Sequence, residues 1–347
     1  LLQATNTDSD KIGPPFTTDI IQASTRVNYG QNLGIIHGVE TMVCMAIEGA
    51  MQIEGGNWRI FEGMLNTSKA DVHLNTAVEG LSKENGKFTL KVSGSSDAVS
   101  SASDQFDTVI LAAPLQFTGI KLSDGLVKHV PDNIPYVTLH VTLFATFLKF
   151  NESFFNLKPG SIVPNTILTT LSPDENSSNR SNVVGKSGFF SISTLRNTVN
   201  PKTHQGEYVY KIFSPTAITS TFLSSLFNTT RKSDLSAWWH QLFTNLLSVP
   251  ANLSTVATTA SDKISWYYPY VWNSYPYEYP RVTFEDIELT RGLYYTSGIE
   301  SFISTMETSA LMGKNVAQLI VDDYFNVMEL PADETENLVE GPSWEEL

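Results

Sequence analysis

GLYYTSGIESFISTMETSALMGKNVAQLIVDDYF, from Gly292 to Phe325, is the stretch whose reading decides the fold. Leu293, Tyr294 and Tyr295 favour a strand, and Gly298 is expected to supply a turn conformation barred to bulkier residues. From about Thr305 the apolar residues Met312, Val316, Leu319 and Ile320 fall at helical spacing. Ser309, Gly313 and Ala317 are small and four apart, so one flank of that helix can approach another element closely. A strand that turns tightly into a helix N-terminus presents backbone N–H groups and a positive dipole end. Such a site suits an electron-rich ligand; an ordinary strand–turn–helix closing a domain has the same pattern.

Working outward, Val282 to Leu289 reads as a strand leading into this feature. Before it lies WYYPYVWNSYPYEY, Trp266 to Tyr279, dense in aromatic rings and broken by prolines. VTLHVTLFATFLKF (Val137 to Phe150), GFFSISTL (Gly188 to Leu195) and EYVYKIFSP (Glu207 to Pro215) read as strands of an antiparallel sheet. Two helices follow them, at about 217–228 and 234–248; Trp238 and Trp239 in the second read as packing. Nearer the start, residues 17–25 form a short helix that leads into RVNYGQN, Arg26 to Asn32. The second half of Gly34 to Ile47 reads as helical. Gly55-Gly56 gives a tight entry to a helix WRIFEGML that Asn57 caps. DVHLNTAVEGL (Asp71 to Leu81) and KFTLKVSG (Lys87 to Gly94) alternate like two strands joined by the turn Glu84 to Gly86. FDTVILAAPL, Phe106 to Leu115, reads as a strand buried on both faces. Residues 94–105 are a Ser-rich surface loop, and the last 15 residues are an acidic tail.

This order suggests an α/β core of nucleotide-binding type interrupted by an antiparallel substrate sheet. The expected division is a cofactor lobe at 1–130, a substrate lobe at 131–281, a return strand and helix at 282–330, and the tail at 331–347. The G-x-G-x-x-G strand–turn–helix that would open such a core is absent from the sequence.

With 347 residues, 41% hydrophobic and 11% aromatic, the chain can bury a large core. A formal net charge of −14 argues against general affinity for nucleic acid or anionic membrane. No run approaches the roughly 18 apolar residues of a transmembrane helix. Cys44 is the single cysteine, which excludes an internal disulfide and a cysteine-based zinc site. His37, His73, His129, His140, His204 and His240 form no metal-binding pattern, so no metal is expected. Sequons stand at Asn66, Asn151, Asn176, Asn179, Asn228 and Asn252, and lean toward a secretory route.

Taken together, RVNYGQ at 26–31, EGGN at 54–57, LAAPL at 111–115 and LYYTSGIES…METSA at 293–310 resemble the prenylcysteine oxidase (prenylcysteine lyase) family. The resemblance runs from about residue 17 to 325, with the motifs in the family's order. It implies a two-lobed α/β flavoprotein of the amine-oxidase-like fold, with FAD as cofactor. The implied reaction oxidises the thioether carbon of a prenylcysteine, with O2 as acceptor, to a prenyl aldehyde, cysteine and hydrogen peroxide. It also implies glycosylation and a lysosomal, vacuolar or extracellular location. Family members begin with a Gly-rich dinucleotide-binding unit. The resemblance therefore implies an N-terminal companion chain, or a segment outside this sequence, that carries it.

By the same resemblance, Gly298, Ile299, Glu300, Met306 and Glu307 approach the pyrimidine end of the flavin ring, where backbone N–H groups stabilise negative charge. Glu300 either contacts flavin or ribityl oxygens or caps the helix. Val78 is placed at the adenine, with Ala112, Ala113 and Pro114 beside the same ADP half. Tyr29 and Gln31 face the flavin or fix the attacking water, or else build a hydrogen-bonded turn. Glu54, Gly55, Gly56 and Asn57 position the flavin or cap a helix. Tyr267, Tyr268, Tyr270, Trp272 and Tyr275 wall an isoprenoid slot, with ordinary core as the competing account. Two other readings stand beside this one: a flavin oxidase of the same fold acting on another apolar amine, alcohol or thioether, and a non-catalytic secreted binding module.

Overall fold

The structure is a computed structural model, and it describes residues 13, 15–46, 51–93, 105–172, 174–175, 183–228 and 263–327. The expected helix at 234–248, the tail at 331–347 and the sequons Asn176, Asn179 and Asn252 lie outside the described residues. So does the expected loop at 94–105, apart from Gln105. The chain divides into two compact units, Leu1–Ile47 with Pro135–Pro280 and Glu48–Ile134 with Arg281–Leu347. The sequence had suggested 1–130 as one lobe; instead the described part of 1–47 clusters with the 135–280 segment.

The first unit opens with a π-helical turn, Phe16–Ile21, that runs into α1, Gln22–Tyr29. Helix therefore extends through most of RVNYGQN and ends at Gly30, whose left-handed φ of 61° lets its N–H reach Arg26 O at 3.1 Å. A Cβ at Gly30 would also stand 3.1 Å from Val137 Cγ1, so this position is tight as well as left-handed. α2 spans Gly38–Met45 and is capped by His37, whose Nδ1 accepts from the Glu40 N–H at 3.2 Å.

The second unit begins with α3, Trp58–Ser68, three residues longer than the expected WRIFEGML. Asn57 does not cap it forward: its Oδ1 accepts from the Ile53 N–H at 3.2 Å, which closes the preceding turn. β1, Val78–Glu84, and β2, Lys87–Val92, form the expected hairpin. Asn85 and Gly86 both take positive φ, as a two-residue hairpin turn requires. The strand starts at Val78 because residues 71–77 make no ladder. β3, Gln105–Phe106, joins β2, and β4, Val109–Leu111, stands apart from it. The expected doubly buried strand at 106–115 is thus short, with Ile110 46% exposed; its apolar run continues into α4, Leu115–Thr118. β5, Lys121–Leu122, pairs parallel with β1 and completes the order β3-β2-β1-β5.

Returning to the first unit, a five-stranded sheet is built from β6 (Tyr136–Thr146), β7 (Thr166–Leu168), β8 (Ser191–Val199), β9 (Gly206–Ser214) and β10 (Ile264–Pro276). Its order is β10-β6-β9-β8-β7, antiparallel throughout. The proline-broken aromatic tract is the longest strand described. β10 is an edge strand, where Pro269 is tolerated because only one side of the strand must donate to a ladder. α5, Ser220–Leu226, has its N-terminal turn capped by Thr219 Oγ1, and it helps cover one sheet face. Phe144, Ile192, Tyr210, Ile212, Leu223, Leu226, Phe227 and Tyr267 form the core there. Each such burial contributes about 1.5–3 kcal/mol.

In the second unit β11, Glu288–Thr290, and β12, Leu293–Tyr295, form a hairpin, and β12 also runs parallel to β4. A 3-10 turn at Ser297–Ile299 leads to α6, Met306–Val327. Thr305 caps α6, accepting from the Thr308 N–H at 3.1 Å. The predicted apolar stripe holds, with Val316 buried and Met312, Leu319 and Ile320 half-buried, but the small flank approaches no other element among the described residues: Ser309, Gly313 and Ala317 are exposed, and a Cβ at Gly313 would meet open space. The Tyr294 hydroxyl donates to Asp323 Oδ2 at 2.7 Å and ties β12 to this helix.

Gly298 corrects the sequence reading. Its φ is not left-handed; glycine is needed because a Cβ would lie 2.9 Å from Glu285 Cβ. The left-handed glycine is Gly292, with φ 80° and Asp107 O only 2.9 Å from where a Cβ would sit. Gly292→Val is therefore expected to destabilise the second unit by about 2–4 kcal/mol. Denaturant unfolding measures this, and Gly313→Ala, which meets open space on a helix, serves as the neutral control.

Candidate functional site

Two groups of side chains in the first unit stand out, and each follows from how the chain folds locally. The first is a buried polar cluster where α1 and α2 meet the end of β10. Arg26, Gln31, Asn32, Glu40 and Glu278 are all fully buried. Arg26 donates to Asn32 Oδ1 at 2.8 Å, Thr169 Oγ1 at 3.0 Å and Val184 O at 2.8 Å, and it lies over the Phe190 ring. Burial lowers its pKa to about 10, with Glu175 acting in the opposite sense. These contacts make Arg26 a clamp between α1, the residue just past β7 and the segment at 183–184.

Gln31 uses both ends of its amide on one piece of backbone. Nε2 donates to Pro276 O at 2.9 Å, and Oε1 accepts from the Glu278 N–H at 3.0 Å. His37 N–H adds a bond to Glu278 O at 2.9 Å. Residues 276–278 are thus pinned just past the end of β10, and Gln31 positions them. Tyr29 packs edge-on against Tyr275, with centroids 5.6 Å apart, and its hydroxyl lies close enough to the Glu40 carboxyl to feel its charge. Burial first, then the adjacent Glu40 carboxyl and the nearness of Cys44 and Glu278, hold the Tyr29 hydroxyl far above its ordinary pKa. Tyr29 is therefore a neutral proton donor across the working pH range. Cys44, also raised by burial, accepts or shares bonds with Asn28 Nδ2 at 3.1 Å and Ser24 Oγ at 3.3 Å, a buried and inert setting.

Glu40 and Glu278 escaped the sequence reading. Each is an acid in an otherwise apolar run, GVETMVCM and YPYEY, and that mismatch was the available signal. Two buried carboxylates beside a neutral tyrosine form a group able to hold or pass a proton.

The second group is an aromatic strip. Side chains alternate along β10, so Trp266, Tyr268, Tyr270 and Trp272 share one face. Trp266 and Tyr268 stack at 6.1 Å, Tyr268 and Tyr270 at 6.2 Å, and Trp272 follows Tyr270 at 6.4 Å. Trp266, Tyr270 and Trp272 are exposed. Tyr267 departs from the expected slot: it points to the other face, in the core with Phe144 and Tyr210. A β-bulge between Asn273 and Tyr275 shifts the register, and Tyr275 packs on Tyr29.

In the second unit the expected ligand-facing residues fall at three places. Ser297, Gly298, Ile299 and Glu300 form the turn after β12, with Ser297 and Gly298 buried. Ser297 Oγ is buried with no hydrogen-bond partner among the described residues. Arg281 Nη1 donates to Ser301 Oγ at 2.6 Å and braces the turn's far side. Met306 and Glu307 at the start of α6 are exposed. Glu54, Gly55 and Asn57 are exposed around the half-buried Gly56, and both glycines have positive φ. A Cβ at Gly55 would strike the Arg59 guanidinium, and one at Gly56 the Trp58 ring. Val78 begins β1, while Ala112, Ala113 and Pro114 link β4 to α4. His129, Asp132 and Glu285 bring one ligand atom each within 4.8 Å of the others, and Asp132 N–H also reaches Glu285 Oε1 at 3.2 Å. His129 and Asp132 are exposed, and the trio reads as a surface ion-pair knot.

Among the described residues, no helix is long and apolar enough to cross a membrane. A sequence model of the family described as prenylcysteine lyase matches residues 3–334. The chain is 26% identical over 336 residues to farnesylcysteine lyase of Arabidopsis thaliana, covering 95% of this chain and 54% of the relative. It is 27% identical over 316 residues to human prenylcysteine oxidase 1, covering 88% and 53%, and 23% identical over 329 residues to human prenylcysteine oxidase 1-like, covering 90% and 56%. The chain thus spans about half the length of these curated relatives.

Gln31→Leu tests the polar cluster. It leaves Pro276 O and Glu278 N–H buried without their partner, and unfolding free energy is expected to fall by about 2–4 kcal/mol. Gln31→Glu, which keeps the shape but faces Pro276 O with an acceptor and adds an acid beside buried Glu278, is expected to recover none of that loss in the same denaturation measurement.

Proposed function

The chain belongs to the prenylcysteine lyase family, and from that membership and the aromatic strip we propose that it serves an oxidase of prenylcysteine thioethers. The balanced reaction takes a prenyl thioether R–CH2–S–R′, water and O2 to the aldehyde R–CHO, the thiol R′–SH and hydrogen peroxide. The carbon next to sulfur loses two electrons and a proton, water supplies the aldehyde oxygen, and O2 takes up both electrons with two protons. The names of the relatives support this chemistry, and the one observation that carries it to particular residues is the exposed ring strip of β10. Four aromatic side chains on alternate positions make an apolar surface about 20 Å long, suited to an extended isoprenoid.

We further propose FAD as the resident cofactor. The second unit's turn fits the polar edge of a flavin ring: the orphaned, buried Ser297 Oγ offers a hydroxyl, and Gly298 adds no bulk. Ile299, Glu300, Met306 and Glu307 would complete that contact, Glu54 to Asn57 would face the cofactor, and Val78 with Ala112 to Pro114 would meet its ADP half. When bound, the flavin supplies the two-electron oxidation and hands the electrons to O2. The chain's residues do the rest. The strip binds the prenyl chain and excludes water from it. A carboxylate of the pair Glu40 and Glu278, beside the neutral Tyr29, would accept the proton that the attacking water must release. Gln31 positions the backbone around them. Exposed Asn66 and Asn228 are proposed glycan sites, consistent with a proposed lysosomal, vacuolar or extracellular location; Asn151 is less free, because its Oδ1 accepts from Ser153 N–H at 3.2 Å.

The test uses the full-length protein, assayed for absorbance and for turnover of farnesylcysteine in air. Expected are a yellow protein and equal amounts of peroxide and farnesal, with amines and free alcohols inert. Tyr270→Ala is expected to raise KM about tenfold through lost stacking and apolar contact. A colourless protein that stays so with added FAD, or peroxide from an amine in place of the thioether, would refute the reading.

A further inference from the structure

The strip of rings occupies only the edge of a broader sheet face, and one charged side chain stands on its otherwise largely apolar continuation. Residues directly opposite across antiparallel strands share a face. One row runs Tyr268, Leu143, Lys211 and Ser193 across β10, β6, β9 and β8. The next row runs Tyr270, Val141, Phe213 and Ser191. The opposite face, with Tyr267, Phe144, Tyr210, Ile212 and Ile192, is the filled core, so these rows lie on the side that carries the strip.

Lys211 is the exception in this apolar setting. It is half-buried, its Nζ lies 4.3 Å from the centre of the Phe213 ring, and it makes no ion pair among the described residues. Burial lowers its pKa, the sign of a cation poorly compensated by its surroundings. Nearby, Ser191 Oγ is fully buried with no hydrogen-bond partner among the described residues. A cation and an orphaned hydroxyl on one face are what a bound carboxylate would satisfy. With strands about 4.8 Å apart, Lys211 stands roughly 10 Å across the sheet from the rings. An amphiphile with an apolar chain over the rings and an anionic head at β9 matches that layout.

We propose that Lys211, with Ser191 and Ser193 beside it, binds the α-carboxylate of the cysteine end of the thioether substrate. This rests on the oxidase reading above and extends it to the recognition of the polar end. It makes the free acid the preferred substrate over its ester, because the ester removes the charge that Lys211 meets. Lys211 is a binding residue here and takes no part in the oxidation step.

The experiment compares farnesylcysteine with its methyl ester in the full-length protein, as wild type, Lys211→Met and Lys211→Arg. Wild type is expected to show a lower KM for the acid. Lys211→Met is expected to raise that KM about 10- to 100-fold, the scale of a lost charge-assisted bond, and to leave the ester's KM and both kcat values nearly unchanged. Lys211→Arg is expected to keep most of the preference. An acid preference that survives in Lys211→Met, or a loss equal for acid and ester, overturns the proposal. Quenching of Trp266 and Trp272 fluorescence by acid and ester reads binding without turnover. A wild type that binds the acid through Lys211 yet produces no peroxide would sink the oxidase reading and spare the carboxylate site.

Discussion

The grip of the Gln31 amide on the backbone at Pro276 and Glu278 is the contact on which the first unit's arrangement depends. It fixes the end of β10, and with it the register of that strand on β6. Strand side chains alternate with a period of two, so a one-residue slip would exchange the faces. Trp266, Tyr268, Tyr270 and Trp272 would turn into the core, and Tyr267 would leave it. Register at an edge strand has a neighbour on one side only, so a pin from outside the sheet has real value there. The same contact seats Glu278 beside Tyr29 and Glu40, so the polar cluster and the aromatic face share one anchor.

The remaining polar contacts of the first unit serve that anchor. Arg26 holds α1 to Thr169, just past β7, and to 183–184, while Gly30 lets the chain leave the helix and bring Gln31 to the strand. Burying an arginine is unfavourable unless its donors are met; here neighbouring carbonyls and hydroxyls meet most of them, with Nε left over. The second unit is organised differently, by the parallel pairing of β12 with β4 and by the tie from Tyr294 to Asp323. Its glycines divide the work. Gly292 takes a left-handed backbone, whereas Gly298 makes room for Glu285.

Much of this was legible in the sequence. The strand and helix of 292–325, the hairpin through Asn85-Gly86, and β6, β8 and β9 follow from local periodicity and turn chemistry. Other parts were hidden for definable reasons. The prolines of 266–279 obscured a long strand, because an edge position tolerates what an interior position forbids. The apolar run 106–115 promised one buried strand but is divided between two short strands and a helical turn. The partnership of Gln31 with residue 278 spans 247 positions, and no local pattern encodes it. Glu40 and Glu278 were visible only as acids among apolar neighbours. Lys211 was one charge in an alternating strand, and its significance needs the cross-strand rows. The family resemblance named the family; the register assigned each ring to a face.

The face assignment is the centre of the account, and photolabelling tests it directly. A farnesylcysteine analogue with a photoreactive isoprenoid is bound to the full-length protein and irradiated, and the adducts are mapped by mass spectrometry. The account predicts labels on Trp266, Tyr268, Tyr270 or Trp272, competed away by farnesylcysteine. Competable labels on Tyr267 and its core neighbours, with none on the strip, would contradict it.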